Sequence, residues 1–180
     1  MIHLVLGGAR SGKSRFAEAT IKKTAEESNK RVTYIATASA GDDEMRVRIE
    51  RHKSQRPNDW RLIEEPLKVA EVIRSCSHND LLLIDCLTLW LSNWLCEGSL
   101  DDFEEAKRSL LASLKSTEAG VVLVSNEVGS GIVPLGELSR DFVDQAGWLN
   151  QAIAAMADKV SLIVAGCEVP LQPFEQAKIN

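Results

Sequence analysis

The sequence is short of several features that would assign it to a broad class. Its 180 residues include one tyrosine, five prolines and four cysteines. Cys76, Cys86, Cys96 and Cys167 form no C-x-x-C pair and no disulfide framework, so free thiols are expected. The longest apolar stretch, LLLIDCLTLWLSNWL (81–95), contains Asp85 and is too short to cross a bilayer, so no membrane insertion is expected. Positive charge is not in surplus: the formal net charge is −5, which argues against a nucleic-acid partner. The opening MIHLVLGG has no charged leader pattern, and a cytoplasmic protein is expected. With no repeat and no low-complexity linker, residues 1–180 read as one domain.

What is present is a succession of short apolar runs: IHLVL (2–6), VTYIA (32–36), LLLID (81–85), VVLVS (121–125) and VSLIVA (160–165). Their apolarity is continuous rather than alternating, as in strands covered on both faces. Helical patterns separate them, over 13–27, over 66–75 with Pro66 in the first turn, over 101–116 and over 137–157. The segment 101–116 has acids at its start and Lys115 near its end, as the helix dipole favours. Strands alternating with helices predict an α/β domain whose mostly parallel sheet is flanked by helices, with ligands at the carboxyl ends of the strands.

GGARSGKS (7–14) fits G-x-x-x-x-G-K-[ST], and it lies between an apolar strand and a helical pattern, as a phosphate-binding P-loop does. Gly7, Gly8, Ala9, Arg10, Ser11, Gly12, Lys13 and Ser14 are therefore expected to bind a nucleotide. Backbone N–H groups and the helix N-terminus would cradle the phosphates, Lys13 would reach the β and γ phosphates, and Ser14 would ligate Mg²⁺. LLLID ends in Asp85, placed as a second Mg²⁺ ligand or as a cap.

DDEMRVRIERHKSQRP (42–57) gathers Arg46, Arg48, Arg51, Lys53 and Arg56 around His52 in an otherwise acidic chain. Met45, Ile49 and His52 share one face of the expected helix. A solvated cationic face with a core histidine is one reading. The other is a neutral, nucleophilic imidazole, its pKa held below the free value of about 6.5 by those cations.

The chain resembles the bifunctional adenosylcobinamide kinase / adenosylcobinamide-phosphate guanylyltransferase family. The resemblance rests on GGARSGKSRFAE (7–18), YIATA (34–38), DDEMRVRIERHKSQRP (42–57), DWRLIEE (59–65), SNEVGSGIVP (125–134) and AGWLNQAIAAMADKVSLIVAG (146–166). It implies phosphorylation of adenosylcobinamide by a nucleoside triphosphate, ATP or GTP. It then implies transfer of GMP from GTP to adenosylcobinamide phosphate through a guanylylated histidine, here His52. Lys53, Ser54, Gln55 and Arg56 would line that nucleotide. The resemblance also puts Thr37, Ala38 and Ser39 in a nucleotide-contacting turn, Glu64 on the ribose hydroxyls, and Asn126 and Glu127 where a catalytic or acceptor-binding group belongs. A homotrimer is implied as well. Trp148 departs from the family's G-R-x-N-Q pattern, since this chain reads GWLNQ (147–151). A P-loop kinase of another small alcohol and a non-catalytic nucleotide sensor are the rival readings.

Overall fold

A computed structural model describes residues 1–38 and 59–171. In chain order the elements are β1 (Ile2–Gly7), α1 (Lys13–Ser28), β2 (Arg31–Ala36), β3 (Arg61–Glu64), α2 (Val69–Arg74), β4 (Asp80–Asp85) and α3 (Leu87–Glu97). There follow α4 (Leu100–Ser116), β5 (Gly120–Asn126), α5 (Glu137–Ala154), β6 (Lys159–Val164) and β7 (Cys167–Leu171). The seven strands form one sheet in the order β3-β2-β4-β5-β1-β6-β7. All pairings are parallel except β6 with β7.

The continuous apolar runs have the expected cause. Successive side chains alternate between faces, and both faces are covered. Val5, Leu81, Leu83, Val122 and Val124 pack with Ala17 and Ile21 of α1. Leu4, Leu6, Leu82, Ile84, Val121 and Leu123 pack on the other face with Ile73, Trp90, Phe103, Leu110, Leu149 and Ile153, from α2 to α5.

The helix ends follow local chemistry. Asn29 closes α1 in the left-handed conformation, at φ 52°. Ser99 and Asp102 make a reciprocal capping box at the start of α4.

Several boundaries differ from the sequence expectation. Pro66 does not open a helix. Glu65 Oε1 accepts from the N–H groups of Leu67 and Lys68, at 3.0 and 2.8 Å, and α2 begins only at Val69. The helix expected over 137–157 ends at Ala154. The apolar stretch 81–95 divides at Asp85 into β4 and the buried helix α3. β3 and β7 were not expected. β7 contains Pro170 and Glu168, residues that a strand tolerates at a sheet edge.

Candidate nucleotide site

The site lies along the carboxyl edge of the sheet. Register places Glu64, Ala36, Asp85, Val124 and Val5 in one row across β3, β2, β4, β5 and β1. Gly7 lies two residues beyond that row, paired with Asn126. Strand spacing puts Asp85 about 10 Å from the axis of β1, and Glu64 a further 10 Å or so along the edge.

The loop from Gly8 to Gly12 turns tightly between β1 and α1. Ser11 N–H donates to the Gly8 carbonyl at 3.3 Å, and Arg10 has φ 58°. Gly12 stands at the N-cap of α1 with φ 96°, where a side chain would be strained. At Gly7 the reason for glycine is space. A Cβ there would come within 2.5 Å of Ser11 Oγ and 2.7 Å of the Ile163 carbonyl oxygen.

Lys13 is buried at the first position of α1 and curls back over the loop, donating to the Gly8 carbonyl at 3.0 Å. Burial pulls its pKa below the ordinary lysine value, opposed by the nearby Cys86 and Asp85. The ammonium therefore sits in a partly desolvated place, where a phosphate would be a strong partner.

Asp85 ends β4 as the sequence suggests, and Tyr34 Oη donates to its Oδ2 at 2.8 Å. Among the described residues Oδ1 accepts no hydrogen bond, which leaves it for a metal or a metal-bound water. A hydroxyl at the start of α1 and a half-free carboxylate are the oxygen donors Mg²⁺ uses beside phosphates. Ser14 and Asp85 thus fit the ion.

Thr37 is wholly buried and holds strand ends together. Its hydroxyl donates to the Cys86 carbonyl at 2.7 Å and accepts from Cys86 N–H at 2.8 Å. Asn93 Nδ2 donates to the Thr37 and Pro66 carbonyls, at 2.7 and 3.0 Å. Asn126 Nδ2 donates to Thr88 Oγ1 at 2.9 Å, and Thr88 lies 3.2 Å from Cys86 Sγ. This network was missed from sequence, since its members lie on four separate segments. Burial raises the Cys86 thiol to about 11, so it stays protonated and unreactive at neutral pH.

Glu127 N–H donates to the Gly7 carbonyl at 3.0 Å, and its Oε1 accepts from Gly129 N–H at 2.8 Å. The tip of β5 is thereby fastened beside the phosphate loop. Ala38 follows Thr37 at the same edge, and Glu64 is exposed at the end of β3. Ser39, His52, Lys53, Ser54, Gln55 and Arg56 lie outside the described residues.

Comparison with known proteins fits this geometry. The profile described as cobinamide kinase / cobinamide phosphate guanyltransferase matches residues 3–171. This chain belongs to that family. It is similar to the bifunctional adenosylcobalamin biosynthesis protein CobP of Pseudomonas aeruginosa, with 50% identity over 173 residues, covering 96% of this chain and 98% of that protein. The CobU protein of Escherichia coli, also described as a bifunctional adenosylcobalamin biosynthesis protein, is 41% identical over 186 residues, with 96% and 100% covered. Among solved structures, a KaiC-like protein from Pyrococcus horikoshii superposes with a TM-score of 0.50 at 16% identity, over 89% of this chain and 69% of that one. That likeness concerns the fold alone. The α/β sheet is thus shared beyond the family, while the likeness in sequence to the family's members runs through nearly the whole chain.

Proposed function

We propose that this chain phosphorylates adenosylcobinamide and then joins GMP to the product, giving adenosylcobinamide-GDP. The observation that carries this reading is the phosphate loop, with buried Lys13 and with Asp85 across β5, in a chain alike over 96% of its length to bifunctional adenosylcobalamin biosynthesis proteins.

In the first step the acceptor hydroxyl attacks the γ-phosphorus of ATP or GTP, and the bond to the bridging oxygen breaks. The nucleoside diphosphate leaves and the hydroxyl proton is lost to the site. The protein's part is positioning and charge neutralisation, by the loop amides and by Lys13. Ser14 and Asp85 would hold Mg²⁺, which when bound neutralises charge on the phosphate oxygens.

In the second step a neutral His52 nitrogen attacks the α-phosphorus of GTP. A P–N bond forms, the α–β bridge breaks, and pyrophosphate departs. An oxygen of the corrinoid phosphate then attacks the same phosphorus, breaking the P–N bond and restoring His52. Lys53, Ser54, Gln55, Arg56 and the turn Thr37–Ala38–Ser39 are assigned to the nucleotide around this nitrogen. Glu64 is assigned to the ribose hydroxyls, its place at the far end of the edge row suiting a ligand laid across the strand tips.

We place the protein in the cytoplasm as a homotrimer. No helix among the described residues is long and apolar enough to cross a membrane. The near-complete exposure of Ile132 and Leu135, with Val133 and Leu138 beside them, supports a covered face in an assembly.

The test is incubation with GTP labelled at the α-phosphorus, with Mg²⁺ and adenosylcobinamide, followed by product analysis. The reading requires an acid-labile, base-stable label on the protein and a guanylylated corrinoid. A phosphorylated corrinoid without protein label identifies a simple kinase, and nucleotide binding without turnover identifies a sensor.

A further inference from the structure

The turn joining β6 to β7 holds two consecutive left-handed residues, Ala165 at φ 52° and Gly166 at φ 79°. It closes a two-residue hairpin above the Val164–Cys167 pair. Glycine adopts this conformation freely. Alanine does not, and persists there only where its surroundings fix the turn.

Those surroundings are the phosphate loop. Gly166 N–H donates to the Ser11 carbonyl at 2.9 Å. A Cβ on Gly12 would lie 3.4 Å from Gly166 Cα, and a Cβ on Gly7 would lie 2.7 Å from the Ile163 carbonyl oxygen. Three loop positions therefore rest on this hairpin. Its stem is fastened to β1 in turn. His3 Nε2 lies 2.8 Å from Ser161 Oγ, and Ser161 donates to Glu168 Oε1 at 2.7 Å. Lys159 pairs with Glu168 at 2.8 Å. The single hydroxyl proton of Ser161 goes to Glu168, so His3 Nε2 is the donor to Ser161.

We propose that the β6–β7 hairpin is the buttress of the phosphate cradle, and that Gly166 is a positioning residue for the triphosphate. The peptide between Ser11 and Gly12 is planar and trans, so its C=O and N–H point in opposite directions. By holding the Ser11 carbonyl toward the hairpin, Gly166 aims the Gly12 N–H away from it. Free rotation of that peptide would cost the cradle one of its donors. The inference rests on the nucleotide reading of the loop.

The experiment compares Gly166→Val, Gly166→Ala and Gly166→Asn with the parent and with Lys13→Ala. Dissociation constants are measured for Mg-GTP and for inorganic tripolyphosphate, which has no base or ribose. Melting without ligand is followed in parallel. Valine resists the left-handed conformation, asparagine tolerates it and keeps the N–H, and a Cβ at this position meets nothing within 4 Å. Gly166→Val should weaken both probes about tenfold, the scale of one hydrogen-bond donor misdirected in a charged site. Gly166→Asn should restore affinity close to the parent. Gly166→Ala should fall between them, and it replaces the valine variant if that one does not fold. Variants that melt lower yet bind both probes like the parent, while Lys13→Ala binds neither, overturn the buttress alone. Full tripolyphosphate affinity in Lys13→Ala overturns the nucleotide reading, and the inference with it.

Discussion

The hydroxyl of Tyr34 lies 2.8 Å from Oδ2 of Asp85, reaching diagonally from β2 to the tip of β4 on the face covered by α1. The only tyrosine of the chain thus orients the one carboxylate at the end of β4, and among the described residues the other oxygen of that carboxylate accepts no hydrogen bond.

Tyr34→Phe should therefore raise the Mg²⁺ concentration needed for half-maximal activity. The expected rise is about tenfold, the equivalent of one hydrogen bond to a charged group. Asp85→Asn should cost more, because it removes the charge itself. Titrating Mg²⁺ at saturating triphosphate checks both. An unchanged Mg²⁺ requirement in Tyr34→Phe would leave the hydroxyl with a packing role only.

Lys13→Ala should depress both activities at least a hundredfold, about the effect of losing one charge-stabilising donor in a transfer site. Lys13→Arg should not rescue. The buried place beside Gly8 suits a point charge, and a planar fork needs more room. Steady-state rates of phosphorylated and guanylylated product, measured separately, decide this. Retention of either rate removes the assigned role.

His52→Ala and His52→Asn should abolish guanylyl transfer while phosphorylation survives at least in part. Phosphoryl transfer from the loop needs no protein nucleophile, whereas a covalent guanylyl intermediate does. Product analysis after incubation with GTP, Mg²⁺ and adenosylcobinamide separates the two. Guanylylated product at a near-native rate from either variant would refute the covalent step.

Stability should fall on the acid side. His3 is 2% exposed, and burial, followed by the neighbouring Lys159, lowers its pKa to about 4, opposed by Glu168. A histidine whose folded pKa is depressed binds fewer protons in the native state. Its stabilising contribution is complete above about pH 6.5 and is lost as pH falls toward 4, by at most about 1.4 kcal/mol per pH unit. Glu168, held below the carboxylate norm by Lys159 and Ser161, adds a loss at lower pH. His3→Gln should flatten the decline between pH 6.5 and 4. Urea unfolding at a series of pH values measures it, and parallel curves for parent and variant would contradict the assignment.

The sheet was legible in the sequence because strands buried on both faces must be apolar throughout, and five of the seven announce themselves that way. The phosphate loop was legible because its chemistry is local: glycine where a backbone approaches closely, then a lysine and a serine at a helix start. Asp85 was legible as the charge that ends an apolar run. β3 and β7 were not, since an edge strand needs no apolar run. Nor was the helix α3, hidden in the apolar stretch that continues beyond β4. Tertiary structure alone decided that β5 lies between the strands carrying Gly7 and Asp85, because strand order depends on how distant segments pack and not on any local pattern. It alone set Tyr34 on Asp85, closed the hydroxyl of Thr37 into a tie between strand ends, and brought Gly166 against Ser11 from 155 residues away, contacts that no spacing in the sequence encodes.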